Sequence, residues 1–148
     1  MKIFDNVAQM KLAYLTAGQQ VETKGYYAAG DGAGARYLVE ASQAVDNLGD
    51  HDLAGTTVAI LQDTGRIKCY GARGDGATDD RASLAAADTA GGIVLDDAGV
   101  YVVATSLTLT NPVRRLTSAM ISASAAATVT FNGEVISTSW QQMFTGAG

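Results

Sequence analysis

A glycine-rich turn in the middle of the chain, followed by a Thr-Asp-Asp triplet and an alanine-rich run, constrains the fold most. Thr78 has the side chain of an N-cap, because its hydroxyl can accept a hydrogen bond from an unpaired amide of the first helical turn. Asp79 and Asp80 follow where a helix N-terminus favours negative charge. Gly91 is a typical helix terminator. We therefore predict a turn, a helix near residues 78–90 and then a strand.

Short β-branched and apolar runs follow this helix, separated by Asn-Pro, Ala/Ser and Asn-Gly turns. They lie at residues 102–103, 106–110, 116–122 and 128–131. A parallel solenoid with strands of this length uses about 20 or more residues per coil. Residues 92–148 therefore supply two or three coils, too few to bury their apolar faces. We expect further sequence of a longer protein, symmetry-related copies or another chain to cover the open end, and favour the first.

An apolar helix is predicted over residues 5–17, capped by Asp5 and closed by Gly18. Its stripes are Val7, Met10 and Tyr14, and beside them Phe4, Ala8, Leu12 and Leu15. A helix that is apolar over most of its circumference needs a cover. Two interpretations stay open: packing within its own small domain, or docking into a partner or across a trimer axis. In the second, the attachment residues are Val7, Met10, Lys11 and Tyr14.

Two strand-like runs at 21–27 and 36–39 flank a Gly/Asp turn and predict a hairpin. The turn residues are Gly30, Gly32 and Gly34. A second strand pair is predicted at 56–61 and 67–70, and residues 41–53 are predicted to form a loop. These elements divide the chain into an N-terminal β-rich domain, residues 1–68, and a second domain, residues 69–148.

Three motif blocks, in this order, resemble those of bacteriophage tailspikes. The block at 25–39 is similar to the GYY…GDGGG…Y pattern of a virion-anchoring domain, with Ala33 in place of a glycine. Gly71, Ala72, Gly74, Asp75, Gly76, Thr78, Asp79 and Asp80 match a GA-x-GDG-x-TDD block. Gly91, Gly92, Val94, Ala98, Gly99 and Tyr101 match the GG-x-V…AG-x-Y block that follows it at the start of a pectate-lyase-like β-helix.

The resemblance implies a mainly β fold with a short N-terminal helix. A small β-rich anchor domain would precede the first coils of a right-handed parallel β-helix, whose entry is shaped by Thr78, Asp79 and Asp80. Asp88 stands where the family has an apolar core residue, and Asp96 and Asp97 stand where it has an apolar residue followed by proline. These departures predict a more solvated start to the β-helix.

Composition narrows the functional classes. A net charge of −5 argues against nucleic acid as a partner, because phosphate binding needs clustered Lys and Arg. Cys69 is the single cysteine, which rules out an intramolecular disulfide and predicts a buried, inert thiol. No apolar stretch reaches the length of a membrane span. The first residues do not form a signal peptide, which predicts synthesis in a host cytoplasm.

No motif predicts a catalytic residue, a metal site or a cofactor. A strand rather than a helix follows the Gly30-x-Gly32-x-Gly34 turn, which disfavours dinucleotide binding. The aspartates at 75, 79 and 80 lack the spacing of a calcium loop, so helix capping explains them better. Asp96 and Asp97 are neighbours on a predicted strand and point to opposite faces, a poor geometry for cleaving a glycosidic bond.

Three further residues have a conceivable functional role, but a structural role is favoured for each. His51 lies in a polar loop between Asp50 and Asp52, with no nucleophile or metal partner in view. Trp140 with Tyr101 has the chemistry to stack on a sugar, although core or subunit packing is the favoured interpretation.

The expected function is structural: the N-terminal attachment region of a homotrimeric tailspike in the phage virion. The resemblance implies a tail or baseplate protein as partner and host surface polysaccharide as ligand of downstream regions. We expect no enzyme activity from this chain, although a longer parent could degrade polysaccharide. The alternative is a self-sufficient carbohydrate-binding or polysaccharide-degrading β-helix protein. A third, weaker hypothesis is an adhesin that uses the Arg73-Gly74-Asp75 tripeptide.

Overall fold

In the computed structural model the chain forms two compact units, and the structure describes residues 1–41, 46–138 and 144–146. Unit 1 comprises Met1–Thr64 and Lys68–Gly71, and unit 2 comprises Gly65–Ile67 and Ala72–Gly148. The backbone changes unit between residues 64 and 72, close to the boundary that the sequence predicts after residue 68. Both units are mainly β, as expected.

Unit 1 is built on a five-stranded sheet. Its strands are β1 (Lys2–Phe4), β2 (Gln20–Thr23), β3 (Ala35–Glu40), β4 (His51–Asp52) and β5 (Val58–Leu61). They lie in the order β1-β2-β3-β5-β4, with β1 parallel to β2 and the other neighbours antiparallel. Alternate residues of β2 and β3 are buried, and Val21 lies opposite Tyr37. The predicted hairpin is therefore confirmed.

The second predicted strand pair is wrong in one member. Residues 58–61 form β5, but Ile67–Tyr70 form a 3₁₀ helix. Within it Ile67, Cys69 and Tyr70 are all buried, whereas a strand with one covered face would alternate. The segment predicted as a loop over 41–53 contains the short strand β4.

Helix α1 spans Val7–Lys11 and is much shorter than predicted. Its N-cap is Asn6 rather than Asp5, because the Asn6 side chain accepts a hydrogen bond from an N–H of the first turn at 2.9 Å. The helix ends at Lys11, whose carbonyl oxygen accepts a hydrogen bond from Ala54 N at 2.8 Å. This tertiary bond takes the place of another helical turn.

Unit 2 is the start of a parallel β-helix. Its strands are β6 (Asp75–Asp79), β7 (Ile93–Leu95), β8 (Val100–Val103), β9 (Leu107–Leu109), β10 (Val113–Arg115), β11 (Met120–Ala123), β12 (Val129–Phe131), β13 (Val135–Ser137) and β14 (Phe144–Gly146). They form parallel sheets in the orders β13-β10-β7, β14-β11-β8-β6 and β12-β9. This arrangement confirms the predicted β-helix.

The coils repeat every 20 to 23 residues. Paired positions 93, 113 and 135 are 20 and 22 residues apart, and positions 101, 121 and 144 are 20 and 23 apart. Most interior positions of the first two coils are apolar and buried: Ile93, Leu95, Tyr101, Val103, Leu107, Leu109, Val113 and Ile121. Arg115 is an exception, fully buried with its Nε donating to Ser137 Oγ at 3.1 Å.

Helix α2 spans Arg81–Thr89 and contacts β7 and β9. Leu84 and Ala87 on its inner face are fully buried, so the helix covers apolar side chains at the start of the β-helix. The predicted helix start is wrong: Thr78 lies in β6, where its N–H and hydroxyl donate to the Asp75 carboxylate, and it is not an N-cap. The strand pairing of β6 with β8 prevails over local capping.

Asp88 corrects the expectation of a solvated start to the β-helix. The residue lies on the buried side of α2 and is only 6% exposed. Its carboxylate accepts hydrogen bonds from Thr110 N and Thr110 Oγ1 at 3.0 Å and from Asn111 N at 2.8 Å. Asn111 Nδ2 in turn donates to the Asp88 carbonyl at 2.8 Å. The carboxylate thus joins α2 to the turn between β9 and β10.

Candidate attachment surface

The predicted anchor turn is organised by Asp31, a residue that the sequence analysis did not single out. Its carboxylate accepts four backbone hydrogen bonds, from Tyr26 N (3.2 Å), Tyr27 N (2.8 Å), Ala28 N (3.1 Å) and Ala33 N (2.9 Å). Burial would raise the pKa of Asp31, but these four N–H groups outweigh it and lower the pKa below its usual value. The loop is therefore wound around one ionised carboxylate.

The predicted turn glycines fall into two groups. Gly30 and Gly32 have φ of +84° and +82°, a conformation that side-chain-bearing residues rarely adopt. Gly34 is needed for space instead, because an added Cβ would lie 3.0 Å from the Thr23 carbonyl oxygen. The three residues do shape the turn geometrically, and their part in anchoring stays a prediction.

The Asp31 loop presents Tyr26 and Tyr27 to a shallow surface depression of about 540 Å³ in unit 1. The two rings lie 4.9 Å apart, and the Tyr27 hydroxyl donates to the Gly71 carbonyl at 2.7 Å. We call this the aromatic depression. Its lining residues are Val7, Ala8, Lys11, Tyr26, Tyr27, Asp46, Leu48 and His51.

A charged group lies beside the aromatic rings. The Asp46 carboxylate accepts a hydrogen bond from Lys11 Nζ and contacts His51 Nδ1 at 3.1 Å. Burial lowers the pKa of His51 and outweighs the opposing effect of Asp46. Burial acts in the other direction on Asp46, but the bonds from Lys11 and His51 prevail and lower its pKa. The depression therefore holds a neutral imidazole, a carboxylate and an ammonium group.

The predicted attachment residues are not equivalent in the structure. Val7 is 5% exposed, although it lines the edge of the aromatic depression, and Met10 is fully buried, so both side chains pack mainly in the core of unit 1. Lys11 lines the aromatic depression. Tyr14 is 82% exposed, and its neighbour Leu12 is 79% exposed. The attachment role of Lys11 and Tyr14 stays a prediction, and Leu12 joins them as an exposed apolar residue.

His51 corrects an expectation of the sequence analysis. It is 1% exposed in β4, whereas the sequence predicts a polar loop, and its Nδ1 contacts the Asp46 carboxylate. The sequence does not predict the contact between Asp46 and His51, because the segment between them is irregular and contains no motif. The signal that was available for Asp31 is the Gly-Asp-Gly tripeptide, in which the aspartate can bond to amides of a tight turn.

The entry residues of the β-helix act through local hydrogen bonds. Asp75 accepts from the N–H groups of Ala77 and Thr78, and these bonds lower its pKa to about 2. Asp79 accepts from Ala104 N at 3.1 Å. Asp80 accepts from the N–H groups of residues 73 and 74, yet burial raises its pKa. The Asp75 carboxylate of the Arg-Gly-Asp tripeptide is thus engaged within the chain, which weakens the adhesin hypothesis.

The two candidate glycosidase carboxylates of unit 2 also have structural partners. Asp96 and Asp97 lie in the turn between β7 and β8 and not on a strand, so the predicted strand geometry is wrong. Arg66 Nε donates to Asp96 at 2.7 Å, and Asp97 accepts from Gly99 N and from the Tyr101 hydroxyl. Tyr101 is buried, in agreement with the favoured packing interpretation, and Trp140 lies outside the described residues.

The part of the chain that the structure describes has neither a cluster of metal ligands nor a membrane-spanning helix. Residues 1–41, 46–138 and 144–146 contain no group of three or more His, Cys, Asp or Glu placed to hold a metal ion. Within the same ranges, every helix is too short or too polar to cross a bilayer.

The stability of the chain is expected to fall as the pH drops from 7 to 5.5, because His51 is buried with a lowered pKa. The unfolded chain, with a histidine pKa near 6.5, then binds a proton that the folded state resists, a loss of at most about 1.4 kcal/mol per pH unit. Urea unfolding at several pH values measures this slope. The difference between wild type and His51→Gln isolates the effect from Asp80, and a slope that is identical in both contradicts the prediction.

The fold is that of a part of tailspike-type parallel β-helix proteins. No protein-family model and no curated protein sequence matches the chain. Among solved structures, the full-length tailspike protein 2 of the Escherichia coli O157:H7 bacteriophage CAB120 is similar, with a TM-score of 0.59 and 18% identity over 86% of this chain. This chain covers 20% of that protein.

Two other solved structures have the same likeness. WceF of Pantoea stewartii, a glycan biofilm modifying enzyme with a tailspike-like β-helix fold, gives a TM-score of 0.63 at 14% identity over 90% of this chain and 24% of that chain. The tailspike protein of the Acinetobacter phage vB_ApiP_P1 gives 0.57 at 14% identity over 99% of this chain and 31% of that chain. The chain thus spans less than a third of the length of these three proteins.

Proposed function

We propose that the chain is the N-terminal attachment region of a phage tailspike. Unit 1 joins the spike to a tail or baseplate protein in the virion, and unit 2 begins the β-helix whose later coils bind host surface polysaccharide. The observation that carries the proposal is the order of the units: a small sheet domain with an aromatic depression precedes a parallel β-helix start. The similar proteins of known structure are longer tailspikes and a glycan-modifying enzyme.

The far end of unit 2 supports a larger assembly. Val135 and Phe144 in the last described coil are 39% and 40% exposed, whereas the inner face of α2 at the near end is buried. Apolar side chains at an open β-helix end are stabilised when another coil or a neighbouring subunit covers them. We therefore propose further coils in a longer parent and a homotrimeric spike.

The most exposed apolar side chains of unit 1 mark the contact surface for the virion. Leu12 and Tyr14 follow α1 directly and are almost fully exposed, and Lys11 beside them lines the aromatic depression. Tyrosine is enriched among the residues that dominate the binding energy of protein interfaces, and a neighbouring leucine adds apolar area that a partner can bury. The surface of Leu12 and Tyr14 is therefore proposed to bind the tail or baseplate protein.

A double variant, Leu12→Ser with Tyr14→Ser, is expected to weaken binding to spike-deficient particles of the encoding phage by at least about 10-fold, because interface anchors of this kind contribute more than 1 kcal/mol each. Co-sedimentation with the particles measures binding, and the melting temperature should stay unchanged. Leu116→Ser, at a half-exposed position of unit 2, is the matched control. Wild-type binding by the double variant, or no binding by the wild-type chain, contradicts the proposal.

We propose that the chain itself does not cleave polysaccharide, since Asp96 and Asp97 are engaged with Arg66, Gly99 and Tyr101. Incubation with host capsular polysaccharide or lipopolysaccharide is expected to release no oligosaccharides. Clear depolymerisation by the 148-residue chain would favour the alternative, a self-sufficient polysaccharide-degrading β-helix protein.

The proposed homotrimer is tested by sedimentation equilibrium, which is expected to give about three times the chain mass of 15.2 kDa.

A further inference from the structure

Three buried polar atoms in unit 1 make no hydrogen bond of good geometry among the described residues, although the Thr23 hydroxyl lies close enough to the Tyr37 hydroxyl to oppose the rise of the Tyr37 pKa that burial causes. They are Thr23 Oγ1, Tyr37 OH and His51 Nε2, and each of these residues is at most 1% exposed. A buried polar group without a partner costs about 1–3 kcal/mol, and native structures rarely leave one unsatisfied. Three such atoms in one small domain therefore require an explanation.

The three side chains form one cluster on the inner face of the sheet. Val21 is opposite Tyr37 and Thr23 is opposite Ala35, so Thr23 and Tyr37 are diagonal neighbours on the buried face of β2 and β3. The ring of Tyr37 lies 5.8 Å from the ring of His51, which comes from β4. The unsatisfied atoms of three strands thus belong to a common region of the core.

The chemistry of His51 defines what is missing. Its Nδ1 contacts the Asp46 carboxylate at 3.1 Å, and because an ionised carboxylate only accepts, Nδ1 carries the proton of the neutral ring. Nε2 is then an acceptor that needs an O–H or N–H donor. The two hydroxyls can each donate and accept, so a ligand with two donors and two acceptor sites satisfies all three atoms.

We propose that Thr23, Tyr37 and His51 together bind an internal water molecule that donates a hydrogen bond to His51 Nε2. Buried waters characteristically make about three hydrogen bonds to groups that the protein leaves unsatisfied. Such a water joins β2, β3 and β4. It is a structural site that does not depend on the proposed attachment function.

Two variants test the water through the sign of their effect. Thr23→Val and Tyr37→Phe each remove one of its partners and are expected to lower the melting temperature by about 4 °C, the shift that loss of one buried hydrogen bond produces in a small domain. Thr56→Val and Tyr14→Phe change the same groups at exposed positions and should have no effect. If the hydroxyls are simply unsatisfied, both core variants raise the melting temperature or leave it unchanged, which overturns the proposal. A direct Thr23–Tyr37 hydrogen bond would also lower the melting temperature of both variants, so a fall supports the water only together with an NMR signal from water beside His51.

A measurement on the wild-type chain keeps the proposal testable even if a variant does not fold. Rotating-frame NMR is expected to show cross-relaxation between water and the carbon-bound ring protons of His51 and the γ-methyl group of Thr23. These protons do not exchange with solvent, so a signal reports a long-lived neighbouring water. Absence of both cross-peaks in the folded chain overturns the proposal.

Discussion

Replacing Gly25 by alanine is expected to destabilise unit 1 by about 3–5 kcal/mol, the range of severe core disruptions. An added Cβ would lie 1.9 Å from the Ala28 carbonyl oxygen and 2.5 Å from Asp31 Oδ1. Neither neighbour can move freely, because the Asp31 carboxylate holds the N–H groups of residues 26, 27, 28 and 33. The methyl group therefore has to break the hydrogen-bonded loop that positions Tyr26 and Tyr27. Urea unfolding followed by circular dichroism measures the loss.

Gly30→Ala in the same loop is the matched control. A Cβ at Gly30 meets no atom within 4 Å, so only the unfavourable φ of +84° contributes, at about 1–2 kcal/mol. The two variants thus separate steric collision from backbone strain in one turn. A loss for Gly25→Ala that is no larger than the loss for Gly30→Ala would show that the loop is not held as tightly as its hydrogen bonds indicate.

Asp88→Ala is expected to destabilise unit 2 by about 3 kcal/mol or more. The substitution leaves the N–H groups of Thr110 and Asn111 without their charged acceptor in a buried site, and hydrogen bonds to charged groups contribute about 1.5–3 kcal/mol each. The turn between β9 and β10 would lose its connection to α2. Thermal or urea unfolding measures the change, with circular dichroism as the signal.

Asp88→Asn is the informative companion, because its amide oxygen still accepts from one N–H while its NH₂ group faces another donor. We expect an intermediate loss of stability. Asp75→Ala removes a carboxylate with as many hydrogen bonds at an exposed position and should cost clearly less, since water can replace them. Equal losses for Asp88→Ala and Asp75→Ala would refute the special role of burial at Asp88.

Strands are predicted correctly from the sequence where turn residues and the periodicity of apolar residues agree. The short β-branched runs after Tyr101 correspond to β8, β9, β11 and β12, because strand length and turn residues carry most of the information for a solenoid. The strand β10 was not predicted, because Val113-Arg114-Arg115 follows a proline and contains two charged residues. Arg115 is buried by its place in the coil, which no local pattern reveals.

Tertiary bonds explain the elements that the sequence did not predict. The apolar stripes over residues 5–17 are typical of a helix, yet the chain leaves the helix at Lys11 because the Lys11 carbonyl bonds to Ala54, more than forty residues away. The burial of His51 and of Asp88 is not predictable from the local sequence for the same reason. Their partners, Asp46 and the turn at Thr110, are recognisable only once the chain has folded.

The parallel register of unit 2 makes its coils interchangeable building blocks. Each coil offers the next one the same strand edges that it received, with Val113 between Ile93 and Val135 as one example. The pairing register of β10 with β13, and of β9 with β12, continues without a shift although these repeats are 22 residues long. Two genes spliced at matching coils would therefore yield a continuous β-helix, so the same first unit could be combined with different downstream coils.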